Sequence, residues 1–455
     1  MKKHKRSTFS GKLGFVLSAA GASVGLGNIW RFPYLAAKYG GGIFLLVYII
    51  LALTFGYTLI MAETSLGRMT RKSPVGAFES FGNSRFISIG GWINAIIPIL
   101  IVPYYSVIGG WVIKYLIEYF AGHSKTLAGD AYFTTFISNG WSTEICFIIF
   151  TLFTLGIIYA GVRNGIERVS KFMMPILIVL SLIIAVYSVT RPGAIEGVKY
   201  FLVPNFDHFS WMTVVSAMGQ MFYSLSIAMG ILITFGSYMK KDTSIEKSTE
   251  NVEIFDTAIA IMAGLMIIPA VFAFSGGNAE TLKSGPALMF ITIPKVFANM
   301  GFGTAIGVVF FLLVLFAAVT SSIALTESAV STFEDELLWN RKKSTVFMGM
   351  VMLLLGTLSC LGYGPLANFK ILGMQFLDFF DFITNSVMMP IAAIATCLLV
   401  SKIVGVDKIE EEITKDGQAF RRKKIFCFMI KYLCPLFAAI ILISSVANAF
   451  GIITM

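Results

Sequence analysis

The sequence has the composition of a membrane protein with many apolar segments. Its 455 residues are 56% hydrophobic and only 13% charged, with a mean hydropathy of +0.81, whereas a soluble domain carries about 25% charged residues. The formal net charge is +10, but about 26 of the 35 Lys and Arg residues fall on one side of the membrane in the topology below. This asymmetry is the positive-inside pattern, so the charge does not indicate a nucleic-acid partner.

Eleven apolar segments of about 17 to 30 residues are predicted to cross the membrane as helices. An odd number of spans places the N-terminus in the cytoplasm and the C-terminus outside the cell. The loops that this arrangement puts inside hold the main basic clusters, at 68–85, 163–171, 240–241, 341–343 and 421–424. The predicted spans are 13–38, 42–67, 88–121, 143–160, 168–190, 211–238, 252–275, 303–333, 345–363, 374–400 and 426–452.

The first apolar segment is interrupted near its middle. Residues 21–33 hold three glycines, an asparagine and an arginine, and they end in a proline. A glycine lowers helix propensity by about 1 kcal/mol and a proline by about 3 kcal/mol. Because an unsatisfied backbone group is costly in hydrocarbon, a break here is tolerable only where it lines a cavity or binds an ion. Such breaks are typical of the binding sites of transporters.

A second run of small and hydroxyl residues, 219–230, interrupts the sixth predicted span in the same way. Breaks five spans apart suggest two repeats of five helices. Because each repeat has an odd number of helices, the two repeats have opposite orientations in the membrane. The predicted fold is therefore an all-α polytopic membrane protein of about eleven helices. It has a five-plus-five inverted repeat, with helices 1 and 6 unwound at mid-membrane. We expect a single domain, 1–455, with repeats at about 10–190 and 205–400 and an extra helix at about 426–452.

The segments between the spans show no separate soluble domain. Polar loops are expected outside at 121–142 and 191–210, and residues 402–424 form a charged cytoplasmic segment. Residues 276–302 are either a re-entrant segment that dips into a vestibule or an ordinary surface loop.

No feature of the sequence indicates an enzyme. There is no Walker loop, no dinucleotide fingerprint after a strand, and only three histidines are present. The five cysteines lie in apolar segments without metal-ligand spacing, so neither a disulfide nor a metal site is predicted for Cys146, Cys360, Cys397, Cys427 and Cys434.

Polar residues inside the apolar segments are the candidates for chemistry. Asp256 is either a functional acid within the membrane or a helix-end carboxylate at the cytoplasmic interface. The hydroxyls of residues 320–322 either add oxygens to a hard-cation site or bond back to their own helix. Glu63 is buried by position, and freed amide groups at a helix break would be natural partners for its carboxylate.

Two charged pairs are candidate gates. Arg31 and the carboxylates of Asp378 and Asp381 could close an outer vestibule, because an ion pair strengthens when water is expelled. Alternatively, Arg31 snorkels and the two aspartates cap their helix. Arg6 and Asp335 offer a matching inner pair, for which the alternative is a solvated acidic helix end.

A set of motifs occurs in order along most of the chain. They are residues 21–33 (GASVGLGNIWRFP), 40–44, Glu63 with 67–68, 104–105, 220–230, 285–290, 320–324 and 333–337. This set resembles the neurotransmitter:sodium symporters, and within them the bacterial amino-acid members. The resemblance implies the inverted-repeat fold and sodium-driven uptake of an amino acid, although most members have twelve helices rather than about eleven.

Carried over position by position, the resemblance implies two sodium sites and a substrate site between the broken helices. The first sodium site would use Ser23, Asn28, Ser224 and Asp256 with the substrate carboxylate. The second would use the carbonyls of Gly21, Val24 and Ala317 and the hydroxyls of Thr320 and Ser321. The substrate would be bound by Ala22, Ser23, Leu26, Gly27, Ile101, Tyr105, Tyr223, Ser224, Ser226, Ala228, Met229, Ser321 and Leu325. None of these is acidic, so a neutral, apolar or aromatic side chain is expected, with Ala228 taking space where glycine is common.

Chloride is not expected as a cofactor. Tyr48, Gln220 and Ser224 follow the pattern of chloride-dependent members, but Asp256 replaces the usual asparagine and Ala260 replaces a serine. A fixed carboxylate at residue 256 would supply the negative charge itself.

The expected function is sodium-coupled import of an amino acid across the cell membrane by alternating access. Binding of two sodium ions and substrate from outside would precede closure by Tyr105 and Tyr223, and then by Arg31 and Asp381. Release inward would open the Arg6–Asp335 gate. The expected partners are the amino acid and the lipid bilayer. Alternatives are an amino-acid-gated ion channel, a receptor that binds without transport, and a proton-coupled symporter.

Overall fold

The computed structural model describes residues 6–276 and 286–453, and its regular structure is helical. We number the helices of four or more residues in chain order. They are α1 Lys12–Ser23, α2 Gly27–Lys38, α3 Gly42–Thr70, α4 Pro74–Glu79, α5 Arg85–Phe120, α6 Ser124–Leu127, α7 Tyr132–Ser138, α8 Gly140–Tyr159, α9 Val162–Val189, α10 Ala194–Leu202, α11 Trp211–Ser224, α12 Ile231–Tyr238, α13 Ile245–Ser275, α14 Leu288–Ala298, α15 Gly303–Glu336, α16 Arg341–Leu361, α17 Phe376–Val404, α18 Val406–Ile413 and α19 Lys423–Ala449.

Each predicted span is occupied by a described helix or by a pair of helices separated by a break. Nine of the described helices are continuous and apolar enough to cross a membrane, and α1 with α2 forms a bent span. The pair α11 and α12 occupies the sixth predicted span, interrupted at 225–230. The prediction of about eleven spans with breaks in the first and sixth is confirmed.

The first break follows the glycines. Helix α1 ends at Ser23, Val24 leaves the helical region with ψ of 88°, and the two halves of the span meet at an angle of 53°. A β-carbon on Gly27 would lie 2.2 Å from the ring of Tyr223, so only glycine allows this approach. The break thus brings the backbone of the first span against the sixth.

The second break depends on left-handed backbone conformations. Ser226, Ala228 and Gly230 have φ of +52°, +59° and +69°. Two of the three are not glycine, although such residues rarely adopt this region. Since they lie at the centre of the fold, the surrounding contacts must hold them there.

One predicted boundary was wrong in an informative way. Helix α13 begins at Ile245 rather than at residue 252, because Ser244 caps it by accepting from the Lys247 amide. Asp256 therefore lies about three turns inside the helix and is fully buried, which excludes the helix-end alternative.

In the segment 276–302, helix α14 is inserted into the protein, whereas residues 277–285 lie outside the described residues. Phe290 of α14 is buried, and its ring lies 4.9 Å from that of Tyr115 and 5.0 Å from that of Phe133. The structure supports the re-entrant interpretation for Leu288–Ala298, whereas Asn299, Gly301 and Phe302 are exposed.

Candidate functional site

A small cavity of about 30 Å³ lies where the two breaks meet. All but two of the predicted substrate-site residues line it. Its lining residues are Ala22, Ser23, Gly25, Leu26, Gly27, Asn28, Ile101, Tyr105, Tyr223, Ser226, Met229, Ser321 and Leu325. Ser224 and Ala228 are not among them, because the Ser224 hydroxyl bonds to Asp256 and the Ala228 amide bonds to Glu63.

Backbone groups that the first break leaves without helical partners form hydrogen bonds to side chains of other segments. The hydroxyl of Ser226 donates to the carbonyl oxygen of Ala22 at 2.9 Å, and the side-chain Nε2 of Gln220 donates to the carbonyl oxygen of Gly27 at 3.1 Å. The Leu26 amide donates to the hydroxyl of Tyr105 at 3.3 Å. These partners are polar groups that a polar ligand can exchange for its own.

Asp256 lies at the centre of a buried polar cluster. Its carboxylate accepts from Asn28 Nδ2 at 2.8 Å, from Tyr48 Oη at 3.0 Å and from Ser224 Oγ at 2.8 and 2.9 Å. No basic side chain in the described ranges forms an ion pair with this carboxylate. A buried carboxylate with only neutral donors provides a negative charge and oxygen atoms suited to a hard cation.

The residues expected at the second sodium site are also adjacent. Ser321 Oγ donates to the carbonyl oxygen of Gly21 at 3.3 Å, and Thr320 Oγ1 donates to that of Ala317 at 3.1 Å. A β-carbon on Gly21 would lie 3.1 Å from that of Thr320. Val24, which was expected to supply a carbonyl to this site, is the residue at which α1 unwinds. The hydroxyls of helix α15 therefore reach the first break, as well as bonding back to their own helix.

A larger cavity of about 460 Å³ lies on the other side of Tyr223, whose ring lines both cavities. Arg31 and Asp381 line it, but they form no ion pair. The Arg31 guanidinium lies 5.3 Å from the ring centre of Tyr223. Asp381 accepts instead from Tyr104 at 3.2 Å and from Asn385 at 2.5 Å. The structure thus places the predicted outer-gate residues across an open space rather than in contact.

The opposite end of the site is closed. Arg6 Nη1 lies 2.8 and 2.9 Å from the two oxygens of Asp335, and Arg6 also donates to Ser331 and Ser237. The Ser73 amide donates to Asp335 at 2.6 Å. The predicted inner pair is therefore formed, and Asp335 is not merely a solvated helix end.

Glu63 fixes the second break from the neighbouring helix α3. The Ala228 amide, freed by the left-handed turn, donates to Glu63 Oε1 at 2.7 Å. Both residues are fully buried. The expectation that a freed amide pairs with this carboxylate is confirmed.

Some residues at these positions were missed by sequence reasoning. Gly25 lines the small cavity, and a β-carbon there would lie 2.7 Å from Ser321 Oγ and 3.2 Å from the Tyr105 hydroxyl. The sequence signal that could have identified Gly25 is its position between two other glycines, Gly21 and Gly27. Phe9 seals the closed end, with rings of Phe235 and Tyr238 at 5.6 and 6.0 Å, and the sequence offered no motif for it.

Comparison with known proteins identifies the family. The sequence matches the sodium:neurotransmitter symporter family over residues 6–147 and 134–452. The chain belongs to this family. It is 33% identical over 457 residues to an uncharacterized sodium-dependent transporter of Bacillus subtilis, YhdH, with 100% of both chains covered. It is 30% identical over 455 residues to one of Haemophilus influenzae, covering 97% of this chain and 98% of that one.

A solved structure has the same fold. The structure of MhsT in complex with L-phenylalanine superimposes with a TM-score of 0.87 at 33% identity, covering 97% of this chain and 100% of that one. The predicted five-plus-five inverted repeat is confirmed by this match together with the two broken spans. The chain is thus a multi-pass, sodium-dependent symporter.

Proposed function

We propose that this symporter imports a neutral L-amino acid with an apolar or aromatic side chain. The observation that carries this proposal is the small cavity between the two breaks. Its described lining includes backbone amides, hydroxyls and rings, but no Asp, Glu, Lys, Arg or His. An unpaired charge on the substrate side chain would therefore be buried at a high cost. MhsT, whose structure contains L-phenylalanine, is consistent with a substrate of this class.

The substrate backbone lies between the unwound segments in this proposal. Its carboxylate binds the amides near Leu26 and Gly27 and the hydroxyl of Tyr105, because helix N-termini favour anions. Its ammonium group binds carbonyl oxygens near Ser23, Tyr223 and Ser226. A cavity of about 30 Å³ holds little more than a water molecule, so the side chain of Tyr223 moves aside to admit the substrate.

Two sodium ions accompany the substrate in this mechanism. The first binds between Asp256, Asn28, Ser224 and the carbonyl of Ser23, next to the substrate carboxylate. The second binds between the end of α1 and the hydroxyls of Thr320 and Ser321. Each cation is attracted by nearby negative charge or by the negative ends of carbonyl dipoles, so ions and substrate bind cooperatively.

Chloride has no role in this mechanism, because the carboxylate of Asp256 is bonded to Tyr48 and Ser224. An anion at this position would lie against a fixed negative charge in a buried environment, and it would be repelled.

Alternating access supplies the transport step. The closed Arg6–Asp335 end and the open cavity beside Arg31 correspond to a state that faces outward, with the N-terminus in the cytoplasm. Closure brings Arg31 towards Asp381, and breaking the inner pair then opens the path inward. The sodium gradient drives uptake because each state binds ions and substrate with different affinity.

Uptake of labelled neutral amino acids into proteoliposomes tests the proposal. We expect accumulation with a sodium gradient and none when choline replaces sodium at fixed pH, whereas replacing chloride by gluconate has no effect. Accumulation without sodium that follows a pH gradient would indicate a proton-coupled symporter. Single-channel currents opened by amino acid would indicate a channel, and binding without accumulation would indicate a receptor.

A further inference from the structure

A groove separate from the transport site lies at the closed end of the molecule. It runs between the end of α8 and the start of α16 and has a volume of about 450 Å³. The rings of Tyr159, Trp339 and Phe347 form its walls. Trp339 and Phe347 pack edge to face with ring centres 5.3 Å apart, so the two rings form one continuous wall.

Positive charge lines the mouth of the groove. Three basic residues in succession open α16, and the first of them, Arg341, is paired with the buried Glu327 at 2.5 Å. Lys342 and Lys343 instead lie over the rings of Tyr159 and Trp339, at 5.6 and 4.0 Å. Within residues 6–276 and 286–453, no carboxylate forms an ion pair with either lysine. Two positive charges are therefore held at the groove without a counter-charge from the protein.

The groove continues into an apolar track along α16. Val346 and Met350 line it one turn apart and are 59% and 57% exposed, and Leu354, a further turn along, is 68% exposed. On a membrane-spanning helix, such a stripe faces hydrocarbon. The surface thus offers a charged end at the interface and an apolar track that runs into the bilayer.

We propose that this groove binds one anionic phospholipid. The phosphate lies between Lys342 and Lys343, and an acyl chain follows Val346, Met350 and Leu354. A soluble anion would leave the apolar track unused, and a zwitterionic lipid would add a positive group beside two unpaired lysines. Lysines near an anionic membrane surface each add binding energy, and these two are already placed by their aromatic neighbours.

Quenching of Trp339 fluorescence by brominated lipid tests the proposal. Detergent-solubilised protein is titrated with brominated-chain phosphatidylglycerol, and a W339F variant identifies the share of the signal that comes from the groove. We expect the double substitution Lys342→Gln with Lys343→Gln to raise the half-quenching concentration about 30-fold. The matched control, Lys241→Gln with Lys424→Gln, removes the same charge from exposed positions elsewhere and should leave it unchanged.

Three results would overturn the proposal. Brominated phosphatidylcholine could quench Trp339 at the same concentration as the anionic lipid, or the control variant could weaken binding equally. A dimer in lipid-free detergent that the groove variant dissociates would assign the surface to a second copy of the chain. Unfolding temperatures measured on every variant show that the fold is retained.

Discussion

The hydroxyl of Tyr48 donates a 3.0 Å hydrogen bond to the carboxylate of Asp256, which links the second and seventh spans deep inside the protein. Ser224 of the sixth span bonds to both oxygens of the same carboxylate. Because Asn28 of the first span also donates to this carboxylate, one fixed negative charge joins two broken helices to two continuous ones. The resemblance implies that Tyr48 and Ser224 follow the pattern of members that need chloride, and in the proposed mechanism Asp256 supplies the charge.

Asp256→Asn should make transport depend on chloride. The amide keeps the shape of the side chain but removes its charge, so an external anion is needed to balance the sodium ion. We expect sodium-driven uptake in gluconate to fall about tenfold, equivalent to about 1.4 kcal/mol, and to recover when chloride is added. Asp207→Asn, in an exposed loop, is the control. Chloride-insensitive uptake by D256N would contradict the prediction.

Gly25→Ala should weaken substrate binding without unfolding the protein. The added methyl would lie 2.7 Å from Ser321 Oγ, within the cavity between the breaks. Overpacking of this kind costs about 1–3 kcal/mol, so we expect the dissociation constant of the imported amino acid to rise about 5- to 150-fold.

Gly156→Ala is the matched control for this change, because no atom lies within 4 Å of the added methyl. It should leave binding unchanged and raise helix stability by up to about 1 kcal/mol. Equal binding by the two variants would show that the substrate lies elsewhere.

Arg6→Gln should open the inner end of the transport pathway. The arginine pairs with both oxygens of Asp335 and bonds to two serines, and its removal loses charge-assisted hydrogen bonds worth about 1.5 kcal/mol each. We expect a cysteine placed at the fully buried Ala19 to react with a thiol reagent about tenfold faster than in the parent. Arg85→Gln, which changes an exposed arginine, should not alter the rate.

Glu63→Ala should destabilise the second break more than Glu63→Gln. Alanine leaves the buried Ala228 amide without its acceptor, which costs about 1–3 kcal/mol, whereas glutamine retains an oxygen at the 2.7 Å position of Oε1. Thermal unfolding in detergent measures the difference. If E63A and E63Q unfold at the same temperature, this hydrogen bond does not hold the unwound segment.

The local sequence was sufficient to predict the spans and both breaks. Length and hydropathy identify membrane helices because each must satisfy its own backbone in hydrocarbon. The glycines of 21–33 and the small residues of 219–230 mark the points where this rule fails. The cluster expected around Asp256 also follows from the sequence, through its resemblance to a family with an ordered set of motifs.

Contacts between distant segments required the tertiary structure. The distance from Arg31 to Asp381 depends on how far two spans lie apart, and the structure holds them across a cavity rather than in contact. The hydrogen bond from the Ala228 amide to Glu63 depends on the left-handed backbone conformation of Ala228, which residue propensities do not predict. The groove beside Lys342 and Lys343 exists only because the end of α8 packs against the start of α16. A membrane helix is determined by its own residues, whereas a site between helices depends on packing partners that are far apart along the chain.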